Sequence, residues 1–123
     1  MENSKPTLAD LLLIEVHRGW SRQAITLAGP VAALPMGTVV GKVTASGKYA
    51  PLTPAASNGS QVAAGVLIAD AAASTPDKKA DALLRGGVVN LAALVWPAGI
   101  TDPQKATALA QLEAAGILAR EAL

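Results

Sequence analysis

Residues 37–70 read GTVVGKVTASGKYAPLTPAASNGSQVAAGVLIAD and decide the fold of this chain. Residues 38–44 are rich in β-branched side chains, and residues 45–47 supply a turn before the chain resumes an extended path to Leu52. This pattern predicts a β-hairpin. A second turn at residues 57–60 precedes residues 61–69, which are apolar enough to predict a strand buried on both faces.

The return strand of this hairpin carries two prolines, Pro51 and Pro54. Proline has no backbone N–H to donate to a neighbouring strand. We therefore expect this strand to pair along an edge or only between its prolines.

Further strands are predicted on both sides of the central stretch. Residues 24–28 form an extended apolar run, and residues 80–85 and 88–95 predict two strands joined at a glycine pair. Residues 71–79 are small and polar and predict an exposed loop. Together these segments predict a mainly β fold.

One α-helix is clearly signalled near the C-terminus. Thr101 is a good N-cap residue, a proline follows close behind it, and Gln104 stands where a capping box requires it. Gly116 is placed to adopt the left-handed conformation that ends a helix. That ending brings Leu112 into contact with Ile117, so the chain is expected to leave the helix along the body of the domain.

The N-terminal segment divides from the rest by composition. Residues 1–7 are polar, and residues 8–16 form a short apolar block that fits a helical turn or a strand equally well. The block either packs on the core of its own domain or docks on something outside it. We predict a flexible N-terminal arm at residues 1–20 and a single domain at residues 21–123. The candidate external contacts of the arm are its apolar side chains: Leu11, Leu12, Leu13, Ile14, Val16 and Trp20.

The composition predicts association between copies. The chain is 51% hydrophobic yet contains no Phe, one Tyr and two Trp, so its core is built from Val, Leu, Ile and Ala. A core of small side chains suggests that some apolar surface is buried between subunits. Trp96, which precedes Pro97 at the end of a predicted strand, fits either a lid on the core or an interface anchor, and we favour the anchor.

Charge and cysteine content exclude several classes of function. A net charge of +1 and an isoelectric point near 8.1 do not provide the basic stripe that nucleic-acid binding needs. The absence of cysteine excludes disulfides, thiol nucleophiles and Cys-ligated zinc. The longest uncharged run is broken by Gly and Pro, and the N-terminus lacks a secretion signal, so no membrane contact is expected.

No set of reactive side chains converges in the sequence. His17 is the single histidine and has no partner nucleophile or second metal ligand, and the nine acidic residues are scattered. Gly37, Gly41 and Lys42 are spaced one residue short of a phosphate loop, and Val43 stands where Ser or Thr is needed. We therefore expect no enzyme activity and no catalytic, cofactor or metal site.

In order along the chain, several short motifs resemble the bacteriophage head decoration proteins, the family of the lambda capsid protein D. The resemblance covers about residues 20–120. It rests on Ser21-Arg22 before the 24–28 strand, Gly37–Thr44, Gly47-Lys48-Tyr49 with Pro51-Leu52, Pro54-Ala55-Ala56 with Asn58-Gly59-Ser60-Gln61, Ala64-Gly65-Val66-Leu67, Arg85-Gly86 and Trp96-Pro97.

The resemblance implies a β-clip fold and a structural role. Members of that family form homotrimers that sit at three-fold positions on the outer surface of the expanded capsid, where they bind the major capsid protein. Assembly in the host cytoplasm and stabilisation against packaged-DNA pressure follow from that role. The family's N-terminal arm is mobile in the free protein and joins the capsid's sheet on docking. The arm of this chain is more apolar at residues 11–14 than the lambda type.

A second interpretation is a β-rich oligomeric carrier or small-ligand-binding module. Lys42 or Lys48 is positioned on the predicted ribbon to carry a covalent group. Neither has the acidic neighbour that is usual in lipoyl-type carriers. Intact-mass measurement distinguishes the two interpretations, because a modified lysine adds mass.

Overall fold

The computed structural model describes residues 8–121, which form eight short strands and three helices. The helices are α1 (Leu8–Leu11), α2 (Arg18–Ser21) and α3 (Asp102–Ala114), with a 3₁₀ turn at Leu91–Ala93. The strands are β1 (Leu12–Glu15), β2 (Arg22–Leu27), β3 (Val39–Lys42), β4 (Tyr49–Pro51), β5 (Ala63–Leu67), β6 (Lys78–Leu83), β7 (Gly87–Asn90) and β8 (Ile117–Arg120). The predicted fold class, mainly β with one C-terminal helix, is confirmed.

Five strands close into a barrel in the order β2-β4-β3-β5-β6, with β6 pairing back to β2. The predicted hairpin is confirmed as β3 and β4, which pair from Val40 opposite Pro51 to Lys42 opposite Tyr49. Gly47 adopts a φ of +73° in its turn. The predicted buried strand is also confirmed, since β5 ends in three consecutive buried residues, Gly65, Val66 and Leu67. Consecutive burial shows that β5 is covered on both faces.

The barrel closes most weakly between β2 and β4. Their register consists of a single parallel pair, Leu27 and Tyr49, supported by a 2.9 Å hydrogen bond from Ala28 N to the Tyr49 carbonyl. An ion pair of 2.6 Å between Lys48 Nζ and Asp77 Oδ2 lies beside this seam, and Asp77 Oδ1 also accepts from Gly29 N at 2.8 Å. Asp77 therefore holds both sides of the seam together.

A second, three-stranded sheet has the order β1-β7-β8. β7 is central, with β1 antiparallel on one side and β8 parallel on the other. The two strands predicted on either side of Gly86–Gly87 are present, but they do not pair with each other, because β6 belongs to the barrel and β7 to this sheet. The predicted strand at residues 88–95 is also too long. Asn90 ends it, because its Oδ1 accepts from Ala92 N at 3.1 Å and starts the 3₁₀ turn.

The loop predicted at residues 71–79 is shorter than expected. Ala71 is buried and exchanges backbone hydrogen bonds of 2.8 and 2.9 Å with Leu34. Lys78 and Lys79 already belong to β6. Residues 72–77 remain largely exposed, as the small and polar side chains indicate.

The C-terminal helix has both predicted ends. Thr101 Oγ1 accepts from Gln104 N at 3.3 Å, and Gln104 Oε1 accepts from Thr101 N at 3.0 Å, which completes the capping box. Gly116 adopts a φ of +93°. Leu112 and Ile117 are both fully buried, and the chain continues along the body as β8.

The fold contains two apolar cores. One fills the barrel, and the other lies between the barrel, α3 and the three-stranded sheet. The barrel core contains Ile25, Leu27, Val31, Val40, Tyr49, Leu67, Ala71, Ala82 and Leu84. The second core, which we call the sheet core, contains Leu11, Val39, Leu52, Ala63, Val66, Ile68, Leu83, Val89, Leu94, Ala108, Leu112 and Ile117.

Candidate binding surface

An apolar row crosses the outer face of the three-stranded sheet. Ile14 pairs with Val88, and Val88 pairs with Leu118, so the three side chains lie on one face. Ile14 is 49% exposed and Leu118 is 43% exposed. On the opposite face, Val89 and Ile117 are fully buried in the sheet core. The row therefore points away from the protein's own interior.

A β-bulge sends Ile14 outward. Leu12 pairs with Val89, whereas Ile14 pairs with the preceding residue, Val88, so β1 contains one residue more than β7 at this point. In a regular strand, Leu12 and Ile14 would share a face. The extra residue, Leu13, separates them, because a one-residue shift moves a side chain to the other face. Leu12 packs on the sheet core while Ile14 is exposed.

Trp20 lies at the end of this row where β1 leaves the sheet. The buried hydroxyl of Ser21 fixes α2, since it donates to the Gly86 carbonyl at 3.0 Å and accepts from His17 N at 3.3 Å. The indole ring of Trp20 occupies the position that a Cβ atom on residue 86 would need. Val16 N donates to the same Gly86 carbonyl at 2.8 Å. One turn of backbone therefore positions both Val16 and Trp20.

These exposed side chains cluster. Five large hydrophobic residues are exposed in the described chain, and four of them lie on or beside this sheet: Ile14, Val16, Trp20 and Leu118, with Val62 the exception. Single exposed apolar residues are common on protein surfaces, whereas several near one another make a surface a candidate for interaction. We call Ile14, Val16, Trp20, Val88 and Leu118 the docking strip.

Charged groups around Trp20 are held in defined partnerships. Arg22 binds Glu15 through two hydrogen bonds, Nε to Oε2 at 2.7 Å and Nη2 to Oε1 at 3.1 Å. The bond to the Glu15 carboxylate raises the pKa of Arg22 above its ordinary value. Arg85 donates to the Trp20 carbonyl at 2.6 Å and to Gln23 Oε1 at 3.2 Å. Arg18 is exposed and has no ion pair with any described residue.

The described residues offer little for other kinds of site. They contain no group of three metal-ligating side chains, and none of their helices has the length and apolar character needed to cross a bilayer. An open groove of about 760 Å³ is lined mainly by apolar residues of three loops, and the carboxylate at its edge, Asp70, accepts from Met36 N at 2.8 Å. Lys48 is engaged with Asp77. This ion pair does not favour attachment of a covalent group at Lys48.

Comparison with protein families identifies the chain. The family model for bacteriophage lambda head decoration protein D matches residues 1–117 of the 123 residues. The chain belongs to this head decoration protein family. The predicted resemblance is therefore confirmed, and the family is a structural one of the phage capsid. A search of curated proteins gave no significant match.

The decoration protein divides its six predicted arm contacts between core and surface. Leu11 is 1% exposed and belongs to the sheet core, and Leu12 and Leu13 are half-buried. Ile14, Val16 and Trp20 are exposed, on or beside the second sheet. The described part of the predicted arm, residues 8–20, thus packs on the domain with one side and presents apolar surface with the other. Residues 1–7 of the arm lie outside the described residues.

Two members of the docking strip, Val88 and Leu118, were not predicted from the sequence. Residues 117–119 follow the glycine that ends the helix. If they form a strand with Ile117 facing the core, alternation of side chains turns Leu118 outward. The predicted interface anchor, Trp96, is half-buried and packs against the sheet core. Its contact with another subunit stays a prediction.

Proposed function

We propose that this decoration protein binds the expanded phage head as a trimer at three-fold sites and stabilises it against the pressure of packaged DNA. It does so from the outer surface, by binding the major capsid protein, without catalysis. The observation that supports this proposal is the docking strip: apolar side chains that the second sheet presents to the exterior. Burial of such surface favours association in proportion to the area removed from water.

Each docking strip contributes a modest binding free energy, and linking three strips in a trimer increases the overall affinity. Full burial of one large apolar side chain contributes roughly 1.5–3 kcal/mol, and the strip residues are about half-exposed, so each gains a fraction of that value. Three linked strips bind a three-fold site together. Linkage strengthens binding by roughly 100- to 10,000-fold over a single strip through effective concentration. A modest contact per subunit therefore suffices.

Stabilisation of the shell follows from selective binding. A trimer that engages three sites at once binds only the shell in which those sites have the matching spacing. Any ligand that binds one state preferentially shifts the equilibrium toward that state. The expanded head is therefore favoured over the unexpanded one, and bound trimers oppose its rupture.

Within the predicted arm, the exposed residues make the contact and the buried ones hold it. Ile14, Val16 and Trp20 touch the shell, while Leu11 anchors the segment in the sheet core. Leu12 and Leu13 border the contact. Trp96 is proposed to serve the contact between subunits of the trimer. Deleting residues 1–20 would remove the Leu11 anchor as well, so point substitutions give the cleaner test.

The test uses co-sedimentation with expanded heads that lack decoration protein. The variant Ile14→Ser with Leu118→Ser removes the centre of the docking strip. The control is Val62→Ser, because Val62 is 43% exposed, as Leu118 is, but lies outside the strip. We expect the strip variant to fold, to remain trimeric by light scattering, and to bind at least about tenfold more weakly, whereas the control binds normally. Normal shell binding by the strip variant would contradict the proposal.

A further inference from the structure

The Trp20 end of the docking strip carries positive charge that the protein itself leaves unneutralised. Arg18 is exposed and has no ion pair within the described residues. Arg85 donates to a carbonyl and to an amide oxygen, and neither acceptor carries a charge that would cancel its own. Both guanidinium groups remain cationic at neutral pH.

Glu15 is the acidic residue of β1 at this end, and its carboxylate is already paired with an arginine. Glu15 is bound through both of its oxygens by Arg22, so this pair contributes no net charge. Asp81, on β6, acts electrostatically on Arg22. The end therefore has an excess of positive charge.

The opposite end of the strip has mixed charge. Arg120 follows Leu118 by two residues on β8 and is followed by Glu121. Asn90, its partner on β7, donates to the Asp10 carbonyl at 3.1 Å, which brings an acidic residue to the same end. The strip is thus electrically asymmetric along its length.

We propose that the site on the shell protein is an apolar surface with carboxylates at the end that receives Trp20. This inference rests on the proposed function and specifies its partner. Arg18 then pairs with a shell carboxylate, and Arg85 extends the same positive field. Opposed charges at one end and mixed charges at the other fix the direction in which the strip lies on the shell, since a reversed strip would gain no such pairing.

Salt dependence separates this contribution from apolar contact. The Debye length falls from about 10 Å at 0.1 M salt to about 3 Å at 1 M, so exposed charge pairs weaken while burial of apolar surface persists. Loss of the Arg18 pairing should therefore lower both the affinity at low salt and the sensitivity of binding to salt.

The experiment measures binding of the full-length protein to expanded heads at 0.05 and 0.5 M NaCl. Arg18→Glu is compared with Lys42→Glu, which changes net charge equally on the exposed surface of β3 in the barrel, away from the strip. We expect wild type and Lys42→Glu to weaken with salt in parallel. Arg18→Glu should bind roughly tenfold or more weakly at low salt and respond less to salt. Circular dichroism verifies that each variant is folded.

The outcomes distinguish the two proposals. Wild-type binding that is insensitive to salt, with Arg18→Glu equal to Lys42→Glu, would overturn the acidic acceptor while leaving docking intact. Tighter binding by Arg18→Glu would indicate a basic acceptor and would also overturn the acidic acceptor. Failure of wild type to bind at either salt concentration would refute the proposed function itself.

Discussion

The indole ring of Trp20 lies against Gly86, and that glycine adopts a φ of +66°. A Cβ atom at position 86 would collide with Trp20 Cζ3, and it would also lie close to Trp20 Cε3, at 2.9 Å, and Ser21 Oγ, at 3.0 Å. The turn that leads from the barrel to the second sheet therefore needs glycine for two reasons: its backbone angle and its closeness to the ring. The same turn sets where the docking strip ends.

Replacing Gly86 with alanine should destabilise the fold and displace Trp20. The left-handed backbone alone costs an ordinary residue about 1–2 kcal/mol. Gly99→Ala is the matched control, because Gly99 has a φ of +79° and nothing within 4 Å of a Cβ. We expect urea unfolding to show a larger loss of unfolding free energy for Gly86→Ala, by about 1–3 kcal/mol from crowding, with weakened head binding. Equal losses for the two variants would show that the ring contact is unimportant.

The seam between β2 and β4 should weaken in acid. Hydrogen bonding from Gly29 N, then from Lys48, lowers the pKa of Asp77 below its ordinary value. A lowered folded-state pKa stabilises the fold above the unfolded pKa of about 3.9, and this contribution is lost as pH falls through the folded value. Asp77→Asn should therefore melt below wild type at pH 7, and the difference should shrink below about pH 4. A difference that is constant from pH 7 to pH 2 would argue against this role.

Leu112 joins α3 to the sheet core and is fully buried. Leu112→Ala should lower the free energy of unfolding by about 2–5 kcal/mol, because it removes buried methyl groups and leaves a cavity. Leu109→Ala, one turn earlier and only partly buried, should cost less. Chemical denaturation measures both. The prediction fails if the two substitutions are equally tolerated.

The capping box at the start of α3 should have a measurable effect on stability. Thr101→Ala removes the oxygen that accepts from Gln104 N, and we expect a loss of about 0.5–2 kcal/mol. Thr101→Ser retains a hydroxyl and should therefore keep most of the stability that Thr101→Ala loses. Thermal unfolding of the three proteins tests the order of stability, with alanine lowest.

The elements that could be predicted from the sequence are those specified by neighbouring residues. The β3–β4 hairpin follows from β-branched runs on either side of Gly47, and α3 follows from Thr101, Gln104 and Gly116. Each of these signals acts over a few residues. They are readable without knowledge of the rest of the fold.

The second sheet could not be predicted, because its partners are far apart in sequence. β1 and β8 lie more than 100 residues apart, yet both pair with β7. The run Leu11 to Ile14 contains four apolar residues without alternation, so the sequence alone leaves open which face each one takes. The bulge at Leu13 decides that question, and bulges leave no reliable local pattern. The prediction consequently treated all four residues alike, as candidate external contacts.

The topology of the second sheet makes its outward face depend on the last strand of the chain. The barrel strands are all present once translation has passed Leu83, whereas β8, with Leu118, arrives only at residues 117–120. A product that terminates between these points can retain the barrel's strands but lacks one side of the outward face. On the proposed mode of binding, such a product lacks Leu118 and should bind the head less tightly than the full-length chain.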